Sequence, residues 1–297
     1  MANEILTELF AGLRANGPDF SAEPEVARAQ FGGLLETIPV DEAFAFTNLS
    51  LGDVPAVMAS FEGAGEDGAL LYFHGGAYVT GSAQGYRGLA AELGRATGVP
   101  AYAVDYRLAP EHPCPAAVED AVAAYRALLA SGISPEKIVF AGDSAGGGLT
   151  LAALVQLRDD GTPLPAAALL ISPWLDLACE GDTIASKEAA DPSLTPSGLR
   201  NMAAHYMAGA DSKNPLGSPL YADLSGLPPL LVQVGAAEIL LSDSTRLATR
   251  AGEANTAIDL QIWPDMPHVF HAFHFMLPEA RAAIDHAGRA LRARMEG

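Results

Sequence analysis

Residues 137–147 read Lys137-Ile138-Val139-Phe140-Ala141-Gly142-Asp143-Ser144-Ala145-Gly146-Gly147. After its lysine the stretch is apolar, then it narrows to small residues around a serine and continues into a helix-capable segment that reaches Leu157. A buried strand that turns sharply into a helix is the setting in which Gly-x-Ser-x-Gly marks a nucleophile elbow. The turn leaves no room for bulky flanking side chains. Gly142 and Gly146 let the backbone take strained dihedrals while Ser144 lifts its hydroxyl above the sheet.

Outward from this turn, strand and helix signals alternate. Strands are expected near 43–51 and 55–61, and then in a series at 69–73, 100–106, 137–141, 167–172, 229–235 and 258–263. Helix patterns lie between them at 82–97, 115–131, 147–159, 242–253 and 278–295. Such alternation predicts an α/β fold with a mostly parallel sheet covered on both faces. In open sheets of this kind ligands bind at the carboxyl ends of the strands, where Ser144 stands.

Two further segments supply partners for the serine. The apolar run Ala69-Leu70-Leu71-Tyr72-Phe73 leads into His74-Gly75-Gly76-Ala77, and Asp105-Tyr106-Arg107-Leu108-Ala109-Pro110-Glu111-His112-Pro113 follows the next strand. With Gly-Asp-Ser-Ala-Gly these segments resemble the hormone-sensitive-lipase-like branch of the α/β-hydrolases, the bacterial short-chain esterases, over nearly the whole chain. The resemblance implies an α/β-hydrolase sheet with a helical cap and a serine carboxylesterase that works through an acyl-serine intermediate. It also implies an oxyanion hole made by the amides of Gly76 and Ala77 with Ala145 as a third donor, and Gly75 is placed in the same site. Each such donor stabilises the developing charge by roughly 3–4 kcal/mol. Ala77 stands where that family has a third glycine, which keeps the amide and adds a methyl group beside the oxyanion.

The base is expected at His268, in Pro264-Asp265-Met266-Pro267-His268 after the last strand, because hydrolase chain order places histidine last. His271 and His274 read as packing residues on a following helix, and His112 as structural. His205 reads as a surface or entrance residue, and Asp105 with Arg107 as a pair that pins its loop. The acid is expected at Glu238, three residues past the strand at 229–235, although the family's Asp-Pro-Leu is missing from Gly235-Ala236-Ala237-Glu238-Ile239-Leu240. Asp243 reads as a helix-start carboxylate with a capping role. Asp143 reads as a structural partner within the elbow.

Composition narrows the partners. With 36 acidic against 17 basic residues the net charge is −19, which repels nucleic acid and anionic membranes. Cys114 and Cys179 form neither a disulfide framework nor a metal cluster, so no metal and no cofactor is expected. The 297 residues, 49% hydrophobic, suffice for one large core. Residues 41–180 and 216–297 are expected to form the catalytic domain. Residues 1–40, with Ile5, Leu6, Leu9, Phe10 and Leu13 on one helix face, and 181–215, with a helix pattern at 196–207, are expected to form the cap. The acidic face of the first helix, with Glu4 and Glu8, opposes stable membrane association. The start Met1-Ala2-Asn3-Glu4 has no basic, long-apolar leader pattern and no run is apolar enough to span a bilayer, so a cytoplasmic location is expected. The expected partner is a small neutral ester, and the expected assembly a homodimer. A lactone, an acetyl ester or an amide would use the same machinery. A small-molecule receptor on this fold is opposed by the presence of His268.

Overall fold

The computed structural model describes residues 2–297. The chain opens with helices α1 (Ala2–Asn16) and α2 (Pro24–Glu36), followed by strands β1 (Ala45–Leu51), β2 (Val54–Ser60) and β3 (Ala69–Phe73). The series continues as α3 (Ala83–Thr97), β4 (Ala101–Val104), α4 (Ala116–Ala130), β5 (Ile138–Asp143), α5 (Ala145–Asp159) and β6 (Ala167–Ile171). After a segment with α6 (Asp182–Ser186) and α7 (Pro196–Met207), it resumes as β7 (Leu230–Gly235), α8 (Leu241–Glu253), β8 (Ile258–Trp263) and α9 (Pro278–Glu296). Among the described residues the strands form one eight-stranded sheet in the order β1-β2-β4-β3-β5-β6-β7-β8. β1 pairs antiparallel with β2 and β2 antiparallel with β4, and every later pairing is parallel.

The continuous apolar runs have a physical cause. β3, β5, β6 and β7 are buried along their whole length, as parallel strands covered on both faces must be. The edge strand β8 is half-buried and alternates with exposed positions. α3 packs with α9 on one face, and α4 with α5 on the other. At the α3–α9 crossing a Cβ on Gly288 would lie 2.4 Å from Ala96, so only glycine lets the helices approach so closely.

The departures from the sequence reading are local. The N-terminal segment holds two helices, not one. α2 begins with Pro24 in its first turn and buries Ala27, Phe31 and Leu35, a four-residue spacing that makes an apolar stripe. The short α6 was not expected, and residues 270–273 form a single 3-10 turn, not a helix.

α1, α2 and α7 lie beside the carboxyl ends of the strands. Leu9 and Leu13 of α1 cluster with Met266, Phe270 and Leu277. Arg28 of α2 donates to the carbonyls of Val79 (2.8 Å) and Ala109 (2.9 Å) and forks onto Glu111 (2.7 and 2.6 Å). Asn201 of α7 donates to the carbonyls of Phe20 (3.0 Å) and Ala22 (3.1 Å), joining the two outlying segments. Among the described residues no helix is long and apolar enough to cross a membrane.

Candidate active site

β5 runs directly into the serine. Ser144 has φ 53° and ψ −120°, a conformation that costs a side-chain-bearing residue about 1–2 kcal/mol and survives only where neighbours enforce it. Three hydrogen bonds do so here. The Ser144 N–H donates to the Ile171 carbonyl (2.8 Å), and the Ser144 carbonyl accepts from the amides of Trp174 (2.9 Å) and Gly148 (3.1 Å). The two elbow glycines are required by space. A Cβ on Gly146 would fall 2.0 Å from the Phe73 carbonyl oxygen, and one on Gly142 2.3 Å from that of Gly146.

The loop after β3 wraps over this turn. Gly76, Ala77 and Tyr78 all have positive φ (115°, 55° and 63°), and the Gly76 carbonyl accepts from Val79, Thr80 and the Thr80 hydroxyl. Gly76 and Ala77 line one cavity together with Ser144 and His268. Among the described residues the amides of Gly76, Ala77 and Ala145 have no hydrogen-bond acceptor in the protein, as a loop and a helix start built to receive an anion would leave them. Gly75 is a correction. Its N–H donates to Asp143 Oδ1 (2.8 Å), which also accepts from the Tyr72 hydroxyl (2.5 Å), so it fixes the loop and has no donor left for an oxyanion. Asp143 is the structural partner in the elbow that its place beside the serine suggests, and burial lifts its carboxyl to about 6 against the pull of those donors.

His268 follows β8 and Glu238 follows β7. His268 Nδ1 lies 2.7 Å from Glu238 Oε2. An ionised carboxylate only accepts, so Nδ1 carries the proton and Nε2 is left as the acceptor. The His268 side chain is 9% exposed and Glu238 fully buried. Burial disfavours the charged imidazole, but the Glu238 charge and hydrogen bond, with the nearby Asp191 and Asp143 carboxylates, outweigh it and raise the His268 pKa. Glu238 Oε1 accepts from the Gly235 amide (2.6 Å) and the Ser172 hydroxyl (2.8 Å). Ser172, with φ 45°, in turn accepts from the Val269 amide (3.1 Å), so one hydroxyl joins the acid's loop to the histidine's. The sequence reading missed it, and its place just past the end of β6 is the signal that could have found it.

The other candidates lie elsewhere. Asp243 is fully buried and is not a surface cap. Its Oδ2 accepts from the amides of Leu175 (2.8 Å) and Asp176 (3.0 Å), holding the loop after β6, and burial lifts its carboxyl to about 7. His271 is buried in the 3-10 turn against Gln233 Oε1 (2.9 Å), and burial lowers its pKa to about 3. His274 contacts Arg281 (2.9 Å). His112 is exposed, and His205 is half-buried on α7 and does not line the cavity. Asp105 and Arg107 do not pair. Asp105 accepts from the Ala83 amide (3.0 Å), while Arg107 engages Asp120 (2.9 Å) and Glu119 (2.9 Å), because those acids lie on α4 within reach of the guanidinium. Cys114 and Cys179 are free thiols, and among the described residues no three His, Cys, Asp or Glu side chains are grouped to hold a metal ion.

Comparison with known proteins adds a family. The pattern of the alpha/beta hydrolase fold matches residues 70–272. An acetyl-hydrolase of Streptomyces hygroscopicus is 50% identical over 256 residues, covering 84% of this chain and 86% of that protein. A crystal structure of an esterase from the bacterial hormone-sensitive lipase family superposes with a TM-score of 0.95 at 44% identity, covering 98% of both chains. The esterase EstE5, solved after soaking with p-nitrophenyl butyrate, gives 0.94 at 42% identity and covers 99% of both.

Proposed function

The chain belongs to the alpha/beta hydrolase family, among its bacterial hormone-sensitive-lipase esterases, and is a carboxylic ester hydrolase; on that premise we propose a serine carboxylesterase for short, neutral acyl esters. The observation that carries the reading is the 2.7 Å contact between His268 Nδ1 and Glu238, with His268 and Ser144 on one cavity. His268 Nε2 takes the proton of the Ser144 hydroxyl as Oγ attacks the ester carbonyl carbon. The carbonyl oxygen becomes an oxyanion and accepts from the amides of Gly76, Ala77 and Ala145. The C–O bond to the alcohol then breaks, and Nε2 returns the proton to the leaving alkoxide. Water repeats the sequence on the acyl-serine and releases the carboxylic acid. Glu238 holds the imidazole in the required tautomer and stabilises its cation.

The cavity supports the substrate class. Its wall includes Leu13, Phe20, Phe31, Leu35, Leu194 and Phe273, and among the described residues no lysine or arginine lines it. An apolar wall without a cation favours neutral acyl chains and gives a carboxylate-bearing one nothing to pair with. α1, α2 and the α6–α7 segment, which supply much of that wall, act in this reading as the cap. The similarity to an acetyl-hydrolase favours acetyl esters as a second reading within the same chemistry, with p-nitrophenyl butyrate the natural first substrate to try.

Ser144→Ala tests the mechanism. A folded protein with turnover of p-nitrophenyl butyrate reduced by about 10⁴-fold or more is expected, because nucleophile and base act as a unit. Retained turnover would overturn the assignment.

A further inference from the structure

We propose that Asp191, on the segment between α6 and α7, is a positioning residue of this reaction, tying the pocket wall to the chain that carries Glu238 and adding its negative charge to those of Glu238 and Asp143 near His268. The inference rests on the reading of His268 as the general base. Asp191 is 6% exposed. Its Oδ1 accepts from the amides of Ser193 (2.8 Å) and Leu194 (2.9 Å), both of which line the cavity. Its Oδ2 accepts from the amide of Ile239 (2.9 Å), the residue after Glu238. One side chain thus clamps a wall of the acyl site and the triad acid to each other.

The charge matters as much as the clamp. Three amides satisfy the carboxylate's lone pairs without neutralising it, and among the described residues no lysine or arginine forms an ion pair with Asp191. A buried anion without a counter-ion is costly, and the cation it feels here is His268. Above the pKa of His268 that cation exists only while the imidazole holds the serine's proton. The attraction is therefore stronger in the transition state than in the resting enzyme, the condition under which an interaction accelerates a reaction. The acids whose charge acts on His268 are Glu238 after β7, Asp191 and Asp143 at the end of β5. Glu238 is bonded to the imidazole and Asp143 is held by Tyr72 and Gly75, while Asp191 is bonded to the pocket wall and to the residue after Glu238.

The test compares size-matched charged and neutral side chains by their pH profiles of kcat/KM on p-nitrophenyl butyrate, with folding followed by near-ultraviolet circular dichroism. Asp191→Asn should shift the acidic limb to lower pH by roughly half a unit or more, since removing a negative neighbour lowers the imidazole pKa. Its kcat should fall about tenfold with a smaller change in KM. Asp191→Gln should shift the limb likewise, and Asp191→Glu should leave it near the wild-type position. A folded Asp191→Asn with an unmoved limb overturns the proposal, as does loss of kcat without any shift, which a purely structural residue would give. If Asp191→Asn does not fold, the Glu and Gln variants decide by the same limb, and failure of all three to fold also overturns the proposal. Failure of the underlying reading looks different: turnover with its acidic limb would survive His268→Ala.

Discussion

A single proton position organises the site. Because Nδ1 of His268 is held by Glu238, the proposed base would work only while Nε2 is unprotonated. The raised His268 pKa means that kcat/KM should fall as pH drops through a value above the ordinary histidine range near 6.5. Glu238→Gln removes both the orienting acceptor and the charge. It should give a folded enzyme with kcat lower by up to about 10⁴-fold and an acidic limb moved to lower pH, read from a pH series on p-nitrophenyl butyrate. Wild-type kcat in that variant would mean another acid orients the histidine. The places of Ser144, His268 and Glu238 at strand ends are legible in the sequence because chain order fixes where they must stand, and the structure sets His268 on Glu238 and on one cavity with Ser144. Gly75 is misread because a glycine's letter does not say which way its amide points; here the buried Asp143 carboxylate claims it. Ser172 and Asp191 escape notice for a related reason. Nothing in their local pattern shows that a backbone turn will aim them at Glu238 and its neighbour.

At the scale of elements, the loop after β6 is the strut of the elbow. Its Trp174 amide holds the Ser144 carbonyl, and its next two amides are held by Asp243 of α8. The regular strands and helices are legible because their apolar runs and periods are long. α6 and the 3-10 turn at 270–273 are too short for periodicity to register, and the role of Asp243 depends on an element 67–68 residues away in the chain. Asp243 reads as a cap only when α8 is considered alone. With its carboxyl raised to about 7, the folded protein binds that proton more tightly than the unfolded chain does. Its contribution to stability is therefore present in acid and lost as pH rises through about 7. Asp243→Asn, which mimics the protonated form, should keep the loop and flatten the decline of Tm between pH 4 and 8. Asp243→Ala strands two buried amides and should cost about 3 kcal/mol, seen as a lower denaturation midpoint with the elbow still catalytic at low temperature. An Asp243→Asn variant as unstable as Asp243→Ala would contradict this account.

Across the whole molecule, the N-terminal helices are fastened to the catalytic centre from two directions. Arg28 grips the oxyanion loop, and Leu9 and Leu13 pack on the segment that carries His268. If these helices form the proposed cap, one so attached should enclose short acyl chains and exclude long ones. Esters of about four to six acyl carbons should be turned over better than those of twelve. Deleting residues 1–15 should weaken that preference, lower kcat at every chain length and increase binding of an apolar dye to the bared Met266–Phe270 surface. Unchanged chain-length preference after the deletion would show that α1 forms no part of the substrate wall.

The chain has two tryptophans. Trp174 is wholly buried, its amide on the serine's carbonyl and its indole 6.4 Å from the ring of Tyr78 in the oxyanion loop, while Trp263 lies 5.6 Å from Phe270, two residues past His268. One indole thus packs on the loop beside the nucleophile and the other on the turn that follows His268. If the proposed acyl-serine forms, the protein's own ultraviolet emission should change as it does, and with Trp263 replaced by phenylalanine the remaining light would come from Trp174, on the nucleophile's side, alone.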